Sequence, residues 1–158
     1  MLLDDCKNMV AVWGPVSGHG LSRLKEAGDL ILVPEQRPSL LGLKAVVPLL
    51  KGAGLDLVYC TDNMLGILFY KGKIKQGLVF YKQRQPGEVI ASSGSLYFSL
   101  LSRLHNVPLE FIRQDELGFL APDKDASSLE GENFILEENT QEYIIEPCEE
   151  SIEEEEKI

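Results

Sequence analysis

Four short stretches hold the residues of this chain that could do chemistry. Gly14-Pro15-Val16-Ser17-Gly18-His19-Gly20 joins a glycine-rich loop to a histidine whose ordinary pKa lies near neutrality. Glu35-Gln36-Arg37-Pro38 carries a guanidinium, a group that forks onto phosphate or carboxylate. Thr61-Asp62-Asn63 carries a carboxylate, and Ser92-Ser93-Gly94-Ser95 sets hydroxyls beside the free backbone N–H groups of a helix start. Each stretch also has a structural reading. Gly18 and Gly20 bind an anion or make a tight turn into a helix. Arg37 grips phosphate or pairs with Glu35. Asp62 meets a ligand or caps a helix, and Ser92, Gly94 and Ser95 cradle phosphate or serve as a cap. His19 has no sequence neighbour that completes a triad, and His105 falls at a predicted helix end, where the last carbonyls account for it.

Several chemistries lack their motifs. The Gly14–Gly20 loop has neither the G-x-G-x-x-G order of a dinucleotide site nor the G-K-[ST] ending of a P-loop. Cys6, Cys60 and Cys148 make no metal-ligand or redox spacing. No metal and no organic cofactor is expected. The cysteines read as reduced thiols of a cytoplasmic protein, and the longest apolar runs are too short to span a membrane.

The elements that would position these stretches follow from periodicity. Met9–Trp13, Leu30–Val33, Leu57–Cys60, Gly77–Tyr81 and Val107–Ile112 are short apolar runs of strand length. Between them lie helical patterns: Leu21, Leu24 and Ala27 before Gly28; Ser39 to Lys51; Met64 to Phe69 behind Thr61-Asp62-Asn63 as N-cap; and Ala91 to His105, with Leu96, Leu100 and Leu104 on one stripe. Strands without polar alternation belong to a sheet covered on both faces. The alternation predicts a Rossmann-like, doubly wound α/β fold with a mostly parallel sheet in three α/β/α layers. In that architecture the loops at 14–20, 35–42, 61–63 and 81–94 gather at the carboxyl edge of the sheet, where ligands bind. Lys82 to Glu88 reads as a polar loop, and Phe134–Glu137 as a late strand or a segment lying against the body.

Charge divides the chain. Residues 1–128 hold 14 Lys and Arg against 13 Asp and Glu, whereas residues 129–158 hold 12 Glu and one Lys. A nearly neutral body with an acidic end lacks the clustered positive charge that phosphate backbones require, so direct nucleic-acid binding is not expected. Lys71-Gly72-Lys73-Ile74-Lys75 reads as a solvated turn. Residues 1–145 are expected to form one domain, and 146–158 an acidic, disordered tail.

In order along the chain, these stretches resemble the C-terminal domain of a family that includes methylthioribose-1-phosphate isomerase, ribose-1,5-bisphosphate isomerase and the regulatory subunits of the guanine-nucleotide exchange factor for translation initiation. The family's E-T-R-P-x-x-Q-G is similar to Glu35-Gln36-Arg37-Pro38-Ser39-Leu40-Leu41-Gly42, and its T-D-N/S-M/A to Thr61-Asp62-Asn63-Met64. Its N-G-D-x-x-N-K-x-G-T-Y resembles the run Pro86 to Leu96, its Y-N-I-P resembles His105-Asn106-Val107-Pro108, and its I-x-I-E-E-R resembles Phe134 to Asn139.

The resemblance also implies losses. Counting back from Gly18-His19-Gly20 puts Met9, or a nearby residue, at the place of the isomerases' catalytic cysteine, and Tyr81 stands for their aspartate. A thioether has no ionisable proton, and a phenol with a pKa near 10 is a poor base at neutral pH. The Asn-Lys pair becomes Ala91-Ser92, and the glutamine of the second loop becomes Leu41. The expectation is therefore a non-catalytic binding or assembly domain. It would be a homodimer or the partner of a related subunit, with Met64–Phe69 as a contact surface or part of the core. Phosphorylated sugar or nucleotide would be recognised through Arg37, Asp62, Ser92, Gly94, Ser95, Gly18 and Gly20. The alternative is an aldose-ketose isomerase of a phosphorylated pentose with a relocated base, Glu88 or Cys60. A dinucleotide-binding domain is a third possibility, against which the missing glycine fingerprint weighs.

Overall fold

Met9, Ala11 and Trp13 alternate with Val10 and Val12 along the first strand, and all five are buried. Such a strand needs a helical layer on each face. The computed structural model describes residues 5–85, 88–114 and 143–145 of the chain, and it supplies both layers. The elements run β1 (Met9–Trp13), α1 (Gly18–Ala27), β2 (Ile31–Pro34), α2 (Val47–Gly52), β3 (Leu57–Cys60), α3 (Met64–Tyr70), β4 (Ile74–Tyr81), β5 (Gln83–Gln85), β6 (Glu88–Ala91), α4 (Ser93–Leu104), β7 (Leu109–Arg113) and β8 (Tyr143–Ile145).

Five strands form one sheet in the order β3-β2-β1-β4-β7, and every pair is parallel. The chain winds outward from β1 to β3, then crosses back to β4 and β7. This reversal puts α1 and α2 on one face and α3 and α4 on the other. Val10, Val12, Ile31, Val33 and Leu78 pack with Leu24 of α1 and Leu50 of α2. Met9, Ala11, Trp13 and Val79 pack with Leu65, Leu68 and Phe69 of α3 and Phe98 of α4. The result is a three-layer α/β/α, Rossmann-like fold, with its topological switch point between β1 and β4.

Local chemistry explains the element ends. Ser17 caps α1 by accepting the Gly20 N–H at 3.1 Å, and Gly28 closes the helix in the left-handed conformation, φ 68°. The span 39–51 is not one helix. A π-helical turn occupies Gly42–Val46 before α2 begins, because Pro48 has no N–H to give to the preceding turn. Gly42 lies so close to the Pro34 carbonyl that any side chain there would collide with it.

The expected polar loop at 82–88 is also corrected. β5 and β6 pair antiparallel there, and β8 adds to β6 with Val89 opposite Ile145. Ala91 belongs to β6, so α4 starts at Ser93. β4 begins at Ile74, inside the basic stretch, where Lys75 pairs with Asp29 at 2.6 Å. The late strand expected at Phe134–Glu137 and the acidic tail lie outside the described residues.

Candidate functional site at the carboxyl edge of the sheet

The loops after β1, β2 and β3 are tied together by two side chains. Gln36 reaches from the β2 loop to accept the Gly14 N–H at 2.9 Å. Asp62 reaches from the β3 loop and accepts two peptide N–H groups, that of Gln36 on Oδ1 and that of Arg37 on Oδ2, each at 2.8 Å. The N-cap reading of Asp62 is thereby corrected. Asn63 holds the cap position of α3 without a side-chain hydrogen bond, while the Asp62 carboxylate clamps a neighbouring loop. The clamp holds an unusual backbone: Gln36 and Leu40 both lie in the left-handed region, φ 58° and 57°.

Arg37 projects from this loop with 66% of its side chain exposed, and its Nε donates to Glu35 Oε1 at 3.1 Å. The ion-pair reading of Arg37 thus holds in this structure. Glu35 itself is buried, with its N–H bonded to the Cys60 carbonyl at 2.8 Å.

Cys60, at the end of β3, is a thiol pushed up to about 12, first by burial and then by the negative charges of Asp62 and Glu35. Burial, and after it Asp62 and Cys60, also raises the Tyr97 phenol of α4. Arg37, Glu35, Cys60, Asp62 and Tyr97 therefore share one corner of the edge. At neutral pH Cys60 is a proton-bearing thiol rather than a nucleophile.

The other residues singled out in the sequence divide differently. Trp13 ends β1 at the switch point, and its Nε1 donates to Ser92 Oγ at 3.3 Å. Ser92 Oγ and Ser95 Oγ lie 3.2 Å apart, with Ser95 fully buried. Gly94 sits against the Trp13 indole, with no room for a Cβ. The start of α4 is thus packed beneath an indole ring, and Ser92, Gly94 and Ser95 act first as packing and hydrogen-bonding partners of Trp13. Gly20 plays the same part toward Phe80, whose ring would meet any side chain there, and its N–H is held by Ser17. Gly18 opens α1 at the surface.

Tyr81 ends β4 at this edge and is buried. Met9 is buried at the amino end of β1, away from these loops, so the residue count that pointed to it does not reach the carboxyl edge; Trp13 and Gly14 stand there instead. His19 is exposed on α1, and His105 stacks on Phe69 with ring centroids 6.2 Å apart. Glu88 opens β6. Among the described residues no group of three His, Cys, Asp or Glu could hold a metal ion, and no helix is long and apolar enough to cross a membrane.

Sequence reasoning missed Gln36 and Tyr97. The signal for Gln36 was its place between the last residues of β2 and Arg37, where a long amide can reach the β1 loop. Tyr97 was hidden because its α4 position is set by tertiary packing.

The fold is the doubly wound α/β fold shared by methylthioribose-1-phosphate isomerase and the initiation factor eIF-2B delta subunit. Over 120 residues the chain is 28% identical to the methylthioribose-1-phosphate isomerase of Rhodopirellula baltica, a match covering 68% of this chain and 33% of that protein. Its structure resembles that of the eIF-2B delta subunit from A. fulgidus, with TM-score 0.61 and 21% identity over 70% of this chain and 37% of the other. It also resembles 5-methylthioribose 1-phosphate isomerase from Pyrococcus horikoshii OT3, with TM-score 0.60 and 17% identity over 70% and 36% of the two chains. This chain spans about a third of the length of the relatives it matches. No family model matches it.

Proposed function

We propose that this chain is a non-catalytic binding and assembly domain related to exchange-factor regulatory subunits, associating as a homodimer or with a related subunit and retaining a phosphorylated sugar or nucleotide at the Arg37 edge. The observation that carries the assembly role is an apolar face on α3 and α4. Ile67 and Tyr70 of α3 and Tyr97, Leu100 and Leu104 of α4 are exposed, Leu104 by 71% and Tyr70 by 78%. The two helices touch, with the Tyr97 hydroxyl facing Gly66 and the Tyr70 ring edge-on to His105. Exposed apolar side chains grouped in this way mark interaction surfaces. Within Met64–Phe69 itself, Leu65, Leu68 and Phe69 belong to the core, so the surface is supplied by Ile67 and by α4.

The lack of isomerase chemistry is supported by the state of the ionisable groups. Moving a proton between sugar carbons needs a positioned acid and base. Asp62 holds backbone with both oxygens, Cys60 keeps its proton, and Tyr81 stands where the resemblance expects a carboxylate. Phosphate recognition is supported by Arg37, whose guanidinium is exposed at this corner while its Nε pairs with Glu35. Light scattering tests the assembly role. The chain should be dimeric at micromolar concentration, and Leu100→Glu with Leu104→Glu should make it monomeric; a monomeric wild type would remove homodimerisation.

A second reading is favoured by the meeting of Cys60, Glu35, Asp62 and Tyr97 beside Arg37, which brings a thiol and carboxylates to one corner. On that reading the chain is an aldose-ketose isomerase of a phosphorylated pentose, with Cys60 as proton carrier. Incubation with ribose 5-phosphate, followed by NMR for a ketose product, separates the two: turnover lost in Cys60→Ser would displace the non-catalytic reading.

A further inference from the structure

Gln36 has a donor that the rest of this edge does not use. Its side chain is buried, only 4% of the residue being exposed. Oε1 accepts the Gly14 N–H at 2.9 Å, which fixes the orientation of the amide, since the reverse would set Nε2 against another donor. Nε2 has no acceptor among the described residues. Folded proteins leave few buried nitrogens in that condition, and such a group calls for a partner. The Gln36 backbone lies in the left-handed region, with its N–H bonded to Asp62, a conformation uncommon for residues that carry a side chain.

The neighbouring charges select the kind of oxygen that Nε2 would meet. Glu35 and Asp62 bring two carboxylates to this corner, and the Arg37 guanidinium is paired with the first of them. An anionic oxygen at Nε2 would lie near these carboxylates, whereas a hydroxyl or ring oxygen carries no charge for them to repel. Because Gln36 is buried in this structure, the oxygen reaches Nε2 only in a state in which the 35–42 loop has moved.

We infer that Gln36 is a specificity-determining donor to a neutral oxygen, a hydroxyl or ring oxygen, of the ligand whose phosphate Arg37 receives. This rests on the proposed phosphorylated ligand and adds the recognition of its uncharged part.

The substitution Gln36→Met tests it, because it removes the donor at nearly the same side-chain volume and adds no charge beside Arg37. The full chain and the variant are titrated calorimetrically at pH 8 with ribose 5-phosphate and with inorganic phosphate. Affinity for ribose 5-phosphate should fall about tenfold or more, the weight of one hydrogen bond to a buried donor, with phosphate affinity unchanged. Equal ribose 5-phosphate affinity overturns the role of Gln36 and leaves the binding reading standing. An equal loss for both probes overturns the neutral-oxygen assignment. A wild type that binds neither probe defeats the binding reading and this inference together. Should the variant not fold, the wild-type Gln36 side-chain amide resonances serve instead: they should shift and exchange more slowly with saturating ribose 5-phosphate, and unmoved resonances overturn the assignment.

Discussion

Asp62 Oδ2 accepts the peptide N–H of Arg37 at 2.8 Å, while Oδ1 accepts that of Gln36 at the same distance. One carboxylate at the end of β3 thus sets the backbone from which the neighbouring loop presents its arginine and its amide. Asp62→Asn exchanges one of these acceptors for a donor facing a peptide N–H. The variant should lose about 1–3 kcal/mol of stability in urea unfolding, since a peptide N–H is left without its acceptor.

Gly94 and Trp13 give a packing test. Gly94→Ala puts a methyl group into the indole, and overpacking of this kind costs about 1–3 kcal/mol. The chain has one tryptophan, so the same substitution should change its fluorescence spectrum. Gly52→Ala, where a Cβ meets open space, is the control and should leave the spectrum unchanged.

Cys60 sets a pH dependence. Its thiol pKa rises from the ordinary 9.0 to about 12 on folding. Below about 9 the proton is held in folded and unfolded chains alike. Above that value the unfolded chain releases it while the folded chain retains it, so stability falls as pH climbs through the window from 9 toward 12. Urea unfolding between pH 8 and 10.5 should show this decline, and Cys60→Ala should flatten it. Alkylation of Cys60 by iodoacetamide at pH 8 should be slower than that of a free thiol.

Arg23 on α1 pairs with Glu110 on β7, and Glu110 Oε2 also accepts from Gln76 Nε2 of β4 at 3.1 Å. Glu110 is buried, so this pair is less screened than one at the surface. A double-mutant cycle with Arg23→Ala and Glu110→Ala should give a coupling of about 1–2 kcal/mol, above the value for exposed pairs.

The five parallel strands were legible because unbroken apolar runs such as Ile31–Val33 suit a sheet covered on both faces. The extension of β4 back to Ile74 was not, since Lys75 and Gln76 are polar and earn their places through Asp29 and Glu110. The 82–88 stretch reads as a loop because Gln83-Arg84-Gln85 has no strand-like hydrophobicity, and the second neighbour of β6, β8, begins more than fifty residues later, at Tyr143. At the site, Arg37 and Asp62 were singled out and do meet. Their relation could not be read, because a carboxylate bonding two peptide N–H groups of another loop leaves no local pattern, and neither does a left-handed glutamine.

The two sheets differ in when a growing polypeptide can finish them. Among the described residues, the parallel sheet has its five strands once Arg113 has been made, whereas β6 must wait for Tyr143–Ile145 before its second neighbour exists. During synthesis, which proceeds from the amino end, the α/β/α body can thus form first. The three-stranded sheet is completed only after the parallel one, once Tyr143–Ile145 has been made.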